Sequence, residues 1–407
     1  MPDGARETAE AVARAAYGRL VAWLSARSRD VAAAEDALAE AFAAALRVWP
    51  ETGVPERPEA WLFTAARRQL IQGGRRRAVR SAAEPVLELL AEERRDQEPD
   101  TLPDERLKLL FVCAHPAIDP AARAPLMLQT VLGLDAARIA SAFLVAPSTM
   151  GQRLVRAKQR IRDAGIAFAV PEPAELQGRL DAVLDAIYAA YGSGWEDAAG
   201  TDARRKGLTE EAIWLARLVT ALLPAEPEAR GLLALMLYCE ARAPARRDAL
   251  GRFVPLSAQD AALWSRDLIV EAERALAAAA ALRRPGRFQL EAAIQSVHIQ
   301  RPITGRTNWE AIALLYDGLV ALAPTMGALV GRAAALGEAR GPAAGLAALA
   351  DLPPETARAY QPWWAVRAHL LAAQGAPEAA AAYRTAAGMA EDPAVKAFLL
   401  ARVGSGG

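Results

Sequence analysis

Sustained alternation of apolar and polar residues, the mark of a half-buried strand, is absent from this chain. What recurs instead is alanine and leucine at three- and four-residue spacing, broken by proline or glycine. Alanine dominates, β-branched residues are sparse, and Leu, Arg and Glu fill most of the rest, a mixture that favours helix. An all-α fold is therefore expected. With 407 residues, 53% of them hydrophobic and 24% charged, the chain holds enough apolar side chains for more than one core.

The punctuation divides the chain. Residues 9–80 form a first helical domain with a proline-marked bend from Pro50 to Pro58. Residues 81–103 form an acidic linker with one short helix at Val86 to Arg95. Residues 104–168 form a second helical domain, closed by Pro171 and Pro173. Residues 176–403 form a long series of Ala/Leu helices. Within that series, Trp363 to Ala387 reads as a helix pair with Ala365, Ala368, Leu371 and Ala372 facing Ala379, Ala382, Tyr383 and Ala386 across Gly375. Trp309 to Gly341 reads as another pair. Small residues at helix crossings suit a tetratricopeptide-like repeat, and an irregular helical bundle is the alternative.

Net charge is zero, but the charges are segregated. Trp61 to Arg80 holds six arginines and no acid; Ser148 to Ala164 holds five basic residues against Asp163 alone. Between them, Ser81 to Arg106 holds nine acids and three bases. Two cationic surfaces on an acidic tether are one reading, and solvated helix faces are the other.

The second cationic run carries a motif. Pro147 stops a preceding helix, and Thr149 with Gln152 has the spacing of a capping box that starts the next. Met150, Leu154, Ala157 and Ile161 share one face. Gln152, Arg153, Arg156 and Arg160 then point outward, with Thr149 near the cap. Upstream, Asp135 can cap a short helix bearing Ile139, Ala140, Phe143 and Leu144. A short helix, a turn at Val145 to Ser148 and a longer basic helix make a helix-turn-helix, whose second helix reads base edges while its arginines hold phosphates.

In the first domain, Leu38, Phe42, Leu46 and Trp49 form an apolar stripe, leaving Asp36, Glu40 and Arg47 outward. Trp61 and Phe63 precede Arg67 and Arg68 and then Arg75 and Arg76, an order suited to stacking unpaired bases and pairing phosphates. Core packing is the plainer role for Trp61 and Phe63.

These segments in this order resemble the extracytoplasmic-function (ECF) sigma factors of the sigma-70 superfamily. The resemblance runs from "AAAEDALAEAFAAALRVWP" and "RPEAWLFTAARRQLI" to "LDAARIASAFLVAPSTMGQRLVRAKQRIRDAGI". It extends to the ECF group with a long C-terminal helical extension, where segments similar to "GRFVPLSAQDAALWSRDLI" and "RFQLEAAIQSVHI" recur. The resemblance implies that Asp36, Glu40 and Phe42 bind the β′ clamp helices of core RNA polymerase. It implies that Trp61, Arg67 and Arg68 melt and read the −10 element of promoter DNA. Thr149, Gln152, Arg153 and Arg156 would read the −35 element from a domain that docks on the β flap. The chain departs from the family at Ala39, Arg68 and Gln72, where Gln, Asn and Asp are usual, and Gly73-Gly74 is expected to interrupt the helix. That break motivates a rival reading, a sigma-like front reduced to a protein-binding scaffold. A polymerase-independent helix-turn-helix regulator is a third.

No catalytic constellation is legible. Cys113 and His115 lack a second pair of metal ligands, His298 and His369 are isolated, and Gly192-Ser193-Gly194 lacks the context of a phosphate loop. No cofactor is expected, and the C-terminal domain is expected to meet an unidentified protein partner. The cysteines, Cys113 and Cys239, are too far apart in sequence to suggest a disulfide framework, and the polar start Met1 to Glu10 does not read as a signal peptide. With no apolar run long enough to span a membrane, a cytoplasmic location is expected.

Overall fold

The computed structural model describes residues 2–78, 104–143, 145–195 and 203–403, and the described residues are helix, turn and loop with one isolated antiparallel bridge, Arg247 to Phe253. The all-α expectation holds. The acidic tether 81–103, with its short helix at Val86 to Arg95, lies outside the described residues, as does Leu144. Among the described residues no helix is long and apolar enough to cross a membrane. The chain forms two compact units, residues 1–193 and 194–407.

The first unit opens with α1 (Pro2–Ser28), α2 (Val31–Thr52) and α3 (Pro58–Ala78). Asp30 caps α2, its carboxylate accepting from the Ala33 amide at 3.1 Å. Pro50 sits inside the last turn of α2, so the bend begins at Gly53 (φ 85°) and not at Pro50. The buried stripe of α2 is Ala34, Ala37, Leu38, Ala41, Ala45 and Trp49. This corrects the expected stripe: Leu46 is 49% exposed and Phe42 half-buried, because small alanines let α1 and α3 approach closely and turn the larger residues outward. Helix α3 runs unbroken through Gly73-Gly74, contrary to expectation. Each glycine costs about 1 kcal/mol of helix propensity, but Leu62, Phe63, Ala66, Leu70 and Ile71 anchor the preceding turns in the core.

Four more helices complete most of this unit: α4 (Arg106–Cys113), α5 (Pro120–Leu132), α6 (Ala136–Ala142) and α7 (Pro147–Asp163). Helix α1 packs on both α4 and α5. At Gly18 the approach is so close that a Cβ would lie 2.0 Å from the Val131 carbonyl oxygen. The two helical blocks on either side of the tether are therefore parts of one packed body. Helix α8 (Pro173–Trp195) follows, and Arg179 on it donates to the Phe111 carbonyl at 3.0 Å.

The second unit begins with α9 (Ala203–Leu222), α10 (Pro227–Ala241), α11 (Arg266–Ala281), α12 (Arg287–Ile299) and the single turn α13 (Arg301–Thr304). Glu228 caps α12, accepting from the Phe288 and Gln289 amides at 2.9 and 3.1 Å. Helical pairs follow: α14 (Trp309–Leu322) on α15 (Met326–Arg340), and α16 (Pro342–Ala350) with α17 (Pro354–Arg358) leading to α18 (Gln361–Ala373). Helices α19 (Ala379–Met389) and α20 (Pro393–Val403) close it. The pair at Trp363 to Ala387 buries Ala368, Leu371, Ala379, Ala382, Tyr383 and Ala386 around a turn where Gly375 takes φ 69°. Ala365 packs against that cluster, whereas Ala372, rotated about 100° around the helix from the buried Leu371, is exposed.

Residues 243–264 form a non-helical strap, interrupted only by short 3-10 turns. Arg247 pairs with Asp392, and Phe253 meets Phe398 edge-on at 5.3 Å, so the strap joins the first helices of this unit to its last.

Candidate nucleic-acid interface

Helices α6 and α7 are consecutive and packed on each other, the arrangement expected of a helix-turn-helix. Asp135 caps the first helix, accepting from the Arg138 amide at 2.8 Å. The second helix starts at Pro147, with Ala146 as its N-cap and no side-chain cap. Thr149 is thus inside the first turn and builds no capping box. Proline at the first helical position supplies the start, since its fixed φ fits and its missing N–H has no partner to lose. Met150, Leu154, Ala157 and Ile161 are buried as the periodicity requires. Each large side chain of that face contributes about 1.5–3 kcal/mol on burial.

The outward residues separate into two groups. Gln152, Arg156 and Arg160 are exposed, Thr149 and Arg153 half-buried. Arg153, Arg156 and Arg160 line one cleft of about 360 Å³ opposite Ile118, Asp119 and Ala122. Three cations on one cleft suit a phosphate backbone. Lys158 and Arg162 leave from the other side of the helix. Lys158 pairs with Glu35 on α2, and Arg162 reaches Asp30 at 3.2 Å. The sequence placed Arg153, Arg156 and Arg160 outward and assigned no partner to Lys158 or Arg162; helical register separates positions 156 and 160 from 158 and 162.

Burial raises the Glu35 carboxyl above the usual glutamate range even though Lys158 opposes the shift. Asp36 and Glu40 are exposed and line a cleft of about 260 Å³ with Asp30, Gln69, Leu70 and Arg162. Beside them, Ala39, Phe42, Ala43 and Leu46 leave an accessible apolar stripe. An apolar stripe flanked by carboxylates is suited to a partner helix carrying basic residues. The outward face of Leu46 was missed in the sequence because leucine at that spacing reads as core.

On α3, Phe63 is buried edge-on against Trp23 at 4.2 Å, a core role. Trp61 is half-buried, its ring edge-on to Trp49 at 5.5 Å. Arg67 is half-buried and Arg68 exposed. Trp61 and Arg68, seven residues apart, share one face of the helix. The backbone at Arg75 and Arg76 continues α3, and their side chains lie outside the described residues.

Cys113 and His115 are engaged locally. The Cys113 thiol, pushed up to about 12 by burial, contacts the Thr130 hydroxyl at 3.4 Å, and His115 Nδ1 accepts from the Ala117 amide at 3.1 Å.

Known proteins match these regions. Residues 12–80 match the Sigma-70 region 2 family, which supports a sigma-70 superfamily factor with a role in RNA polymerase binding and transcription initiation. Residues 179–280 match a family of unknown function, DUF6596. No solved structure matches the chain. An uncharacterized protein, R00370, of Rhizobium meliloti (strain 1021) is 39% identical over 379 residues, covering 91% of this chain and 89% of that one. By that extent of identity the chain belongs to the same family as the Rhizobium protein, with a sigma-70 region 2 at its front.

Proposed function

We propose that this chain is an ECF-type sigma factor that brings core RNA polymerase to a subset of promoters, with its C-terminal helices, a tetratricopeptide-like extension, modulating that activity. The observation that carries the reading is the exposed face of α2 within the sigma-70 region 2 match: Asp36 and Glu40 beside Phe42 and Leu46. On this reading that face binds the β′ clamp helices. Trp61, Arg67 and Arg68, with Arg75 and Arg76 beyond them, hold the melted −10 strand. Thr149 and Gln152 read the −35 element while Arg153, Arg156 and Arg160 hold its phosphates, and their domain docks on the β flap. Stacking and phosphate pairing offset the cost of strand separation, and no covalent chemistry is involved.

The unbroken course of α3 through Gly73-Gly74 removes the main motive for reading the front as a degraded scaffold. Run-off transcription with purified core polymerase, on promoters selected from a random library, tests the proposal. Specific initiation above core alone is expected; its absence would refute the assignment.

A further inference from the structure

Beneath the strap of the second unit lies a cavity of about 600 Å³, within the range of small-molecule sites. Its walls come from distant parts of the chain: the strap at Leu256 and Ser257, His298 on α12, Arg301 and Arg306 around α13, Trp309 opening α14, and Glu338 with His369 at the rim. We propose that this cavity binds a small organic anion, a carboxylate or phosphate carried on a planar apolar body.

The charge balance points to the anion. Arg301 is held by three backbone carbonyls and lies over the Trp264 ring at 5.5 Å: Nη1 donates to Leu256 and Ser257 at 2.8 and 2.6 Å, and Nη2 to Gln259 at 2.7 Å. Carbonyl dipoles fix the guanidinium without cancelling its charge. The buried Arg242, which does not line the cavity, is hydrogen-bonded to the Tyr238 carbonyl, to the Cys239 sulfur and to Gln295. Among the described residues, neither arginine has a carboxylate within ion-pair distance. Arg306 stands exposed at the cavity, and its guanidinium makes no hydrogen bond or ion pair among the described residues. The cavity's own acid, Glu338, is engaged by His369 at 2.8 Å. A half-buried cation without a counter-ion is costly, and an anion in the cavity supplies Arg301 with one.

Two further groups define the rest of the ligand. The Trp309 indole lines the space and offers an apolar wall. The His298 ring meets Trp309 edge-on at 5.4 Å, and among the described residues it makes no hydrogen bond. Burial, then Arg242 and Arg301, lower it to about 4. The imidazole is therefore neutral near pH 7, with one nitrogen to donate and one to accept.

Calorimetric titration of the full chain at low salt with benzoate, phenyl phosphate, inorganic phosphate and benzyl alcohol tests this. Benzoate or phenyl phosphate is expected to saturate at one per chain, and the stronger of the two identifies the headgroup. Ring-free phosphate and uncharged benzyl alcohol are expected to bind at least tenfold more weakly. Arg306→Glu reverses an exposed charge without touching the core, and His298→Leu keeps an apolar side chain there but removes its hydrogen bonding. Either is expected to weaken the anion at least tenfold. Failure of both aromatic anions to saturate, equal binding of benzyl alcohol, or unchanged affinity in both variants would overturn the proposal. The titration reads binding alone, so its failure is distinct from failure of the transcription assay.

Discussion

Lys158 on α7 is ion-paired to Glu35 on α2, 123 residues earlier, and both side chains are nearly enclosed, at 13% and 12% exposure. The helix proposed to read DNA is thereby fastened to the helix proposed to hold polymerase. Arg162 repeats the link one turn later, on Asp30.

Titration of Glu35 gives the first prediction. Its carboxyl is raised by burial, so the folded state holds this proton more tightly than the unfolded chain does. The contribution to stability is fully present below the ordinary glutamate value of about 4.3 and is lost as pH rises through the raised folded value. Glu35→Gln removes that slope. Its melting temperature relative to the parent should therefore climb as pH rises from 4 to 8; a constant difference would mean the carboxyl is not raised.

Close backbone contact gives the second. Gly18→Ala places a Cβ 2.0 Å from the Val131 carbonyl oxygen, and α1 must move away from α5. A loss of about 1–3 kcal/mol is expected, as for other overpacked sites. Gly151, on α7, has nothing within 4 Å. Gly151→Ala should be neutral or stabilise by up to about 1 kcal/mol through helix propensity. Urea denaturation of both variants decides it, and equal effects would contradict the contact.

The exposed stripe of α2 gives the third. Leu46 is half-exposed, so Leu46→Asp should change stability by no more than about 0.5 kcal/mol. It should nevertheless abolish retention on an immobilised β′ clamp-helix fragment. Retention equal to the parent's would remove this face from the polymerase contact.

Salt dependence gives the fourth. Arg153 and Arg156 share the cationic cleft of α7. Replacing each with Gln should weaken binding to promoter duplex and flatten the plot of log affinity against log salt by about one per residue. An unchanged slope would mean that neither holds a phosphate.

Legibility in the sequence followed the range of the interaction. The all-α fold, the buried face of Met150, Leu154, Ala157 and Ile161, and the Asp135 cap were all readable, because each depends on residues within a turn or two of one another. Local signals also misled: the Thr149/Gln152 spacing imitated a capping box, and Gly73-Gly74 imitated a break. In both places another contribution outweighed the local one, the proline at position 147 and the buried anchor of α3.

The sequence by itself determined which segments are helices and, for most of them, which side turns inward, since a 3.6-residue period is carried by the chain's own order. Tertiary structure decided which bases of α7 face outward and which bind α2, that α1 touches α5 at Gly18, that Leu46 is left outside, and that Leu256 and Ser257 of the strap share a cavity with His298 and Trp309. Those outcomes depend on pairings between residues tens to more than a hundred positions apart. Such pairings leave no periodic trace, because they are selected by how whole helix surfaces fit together.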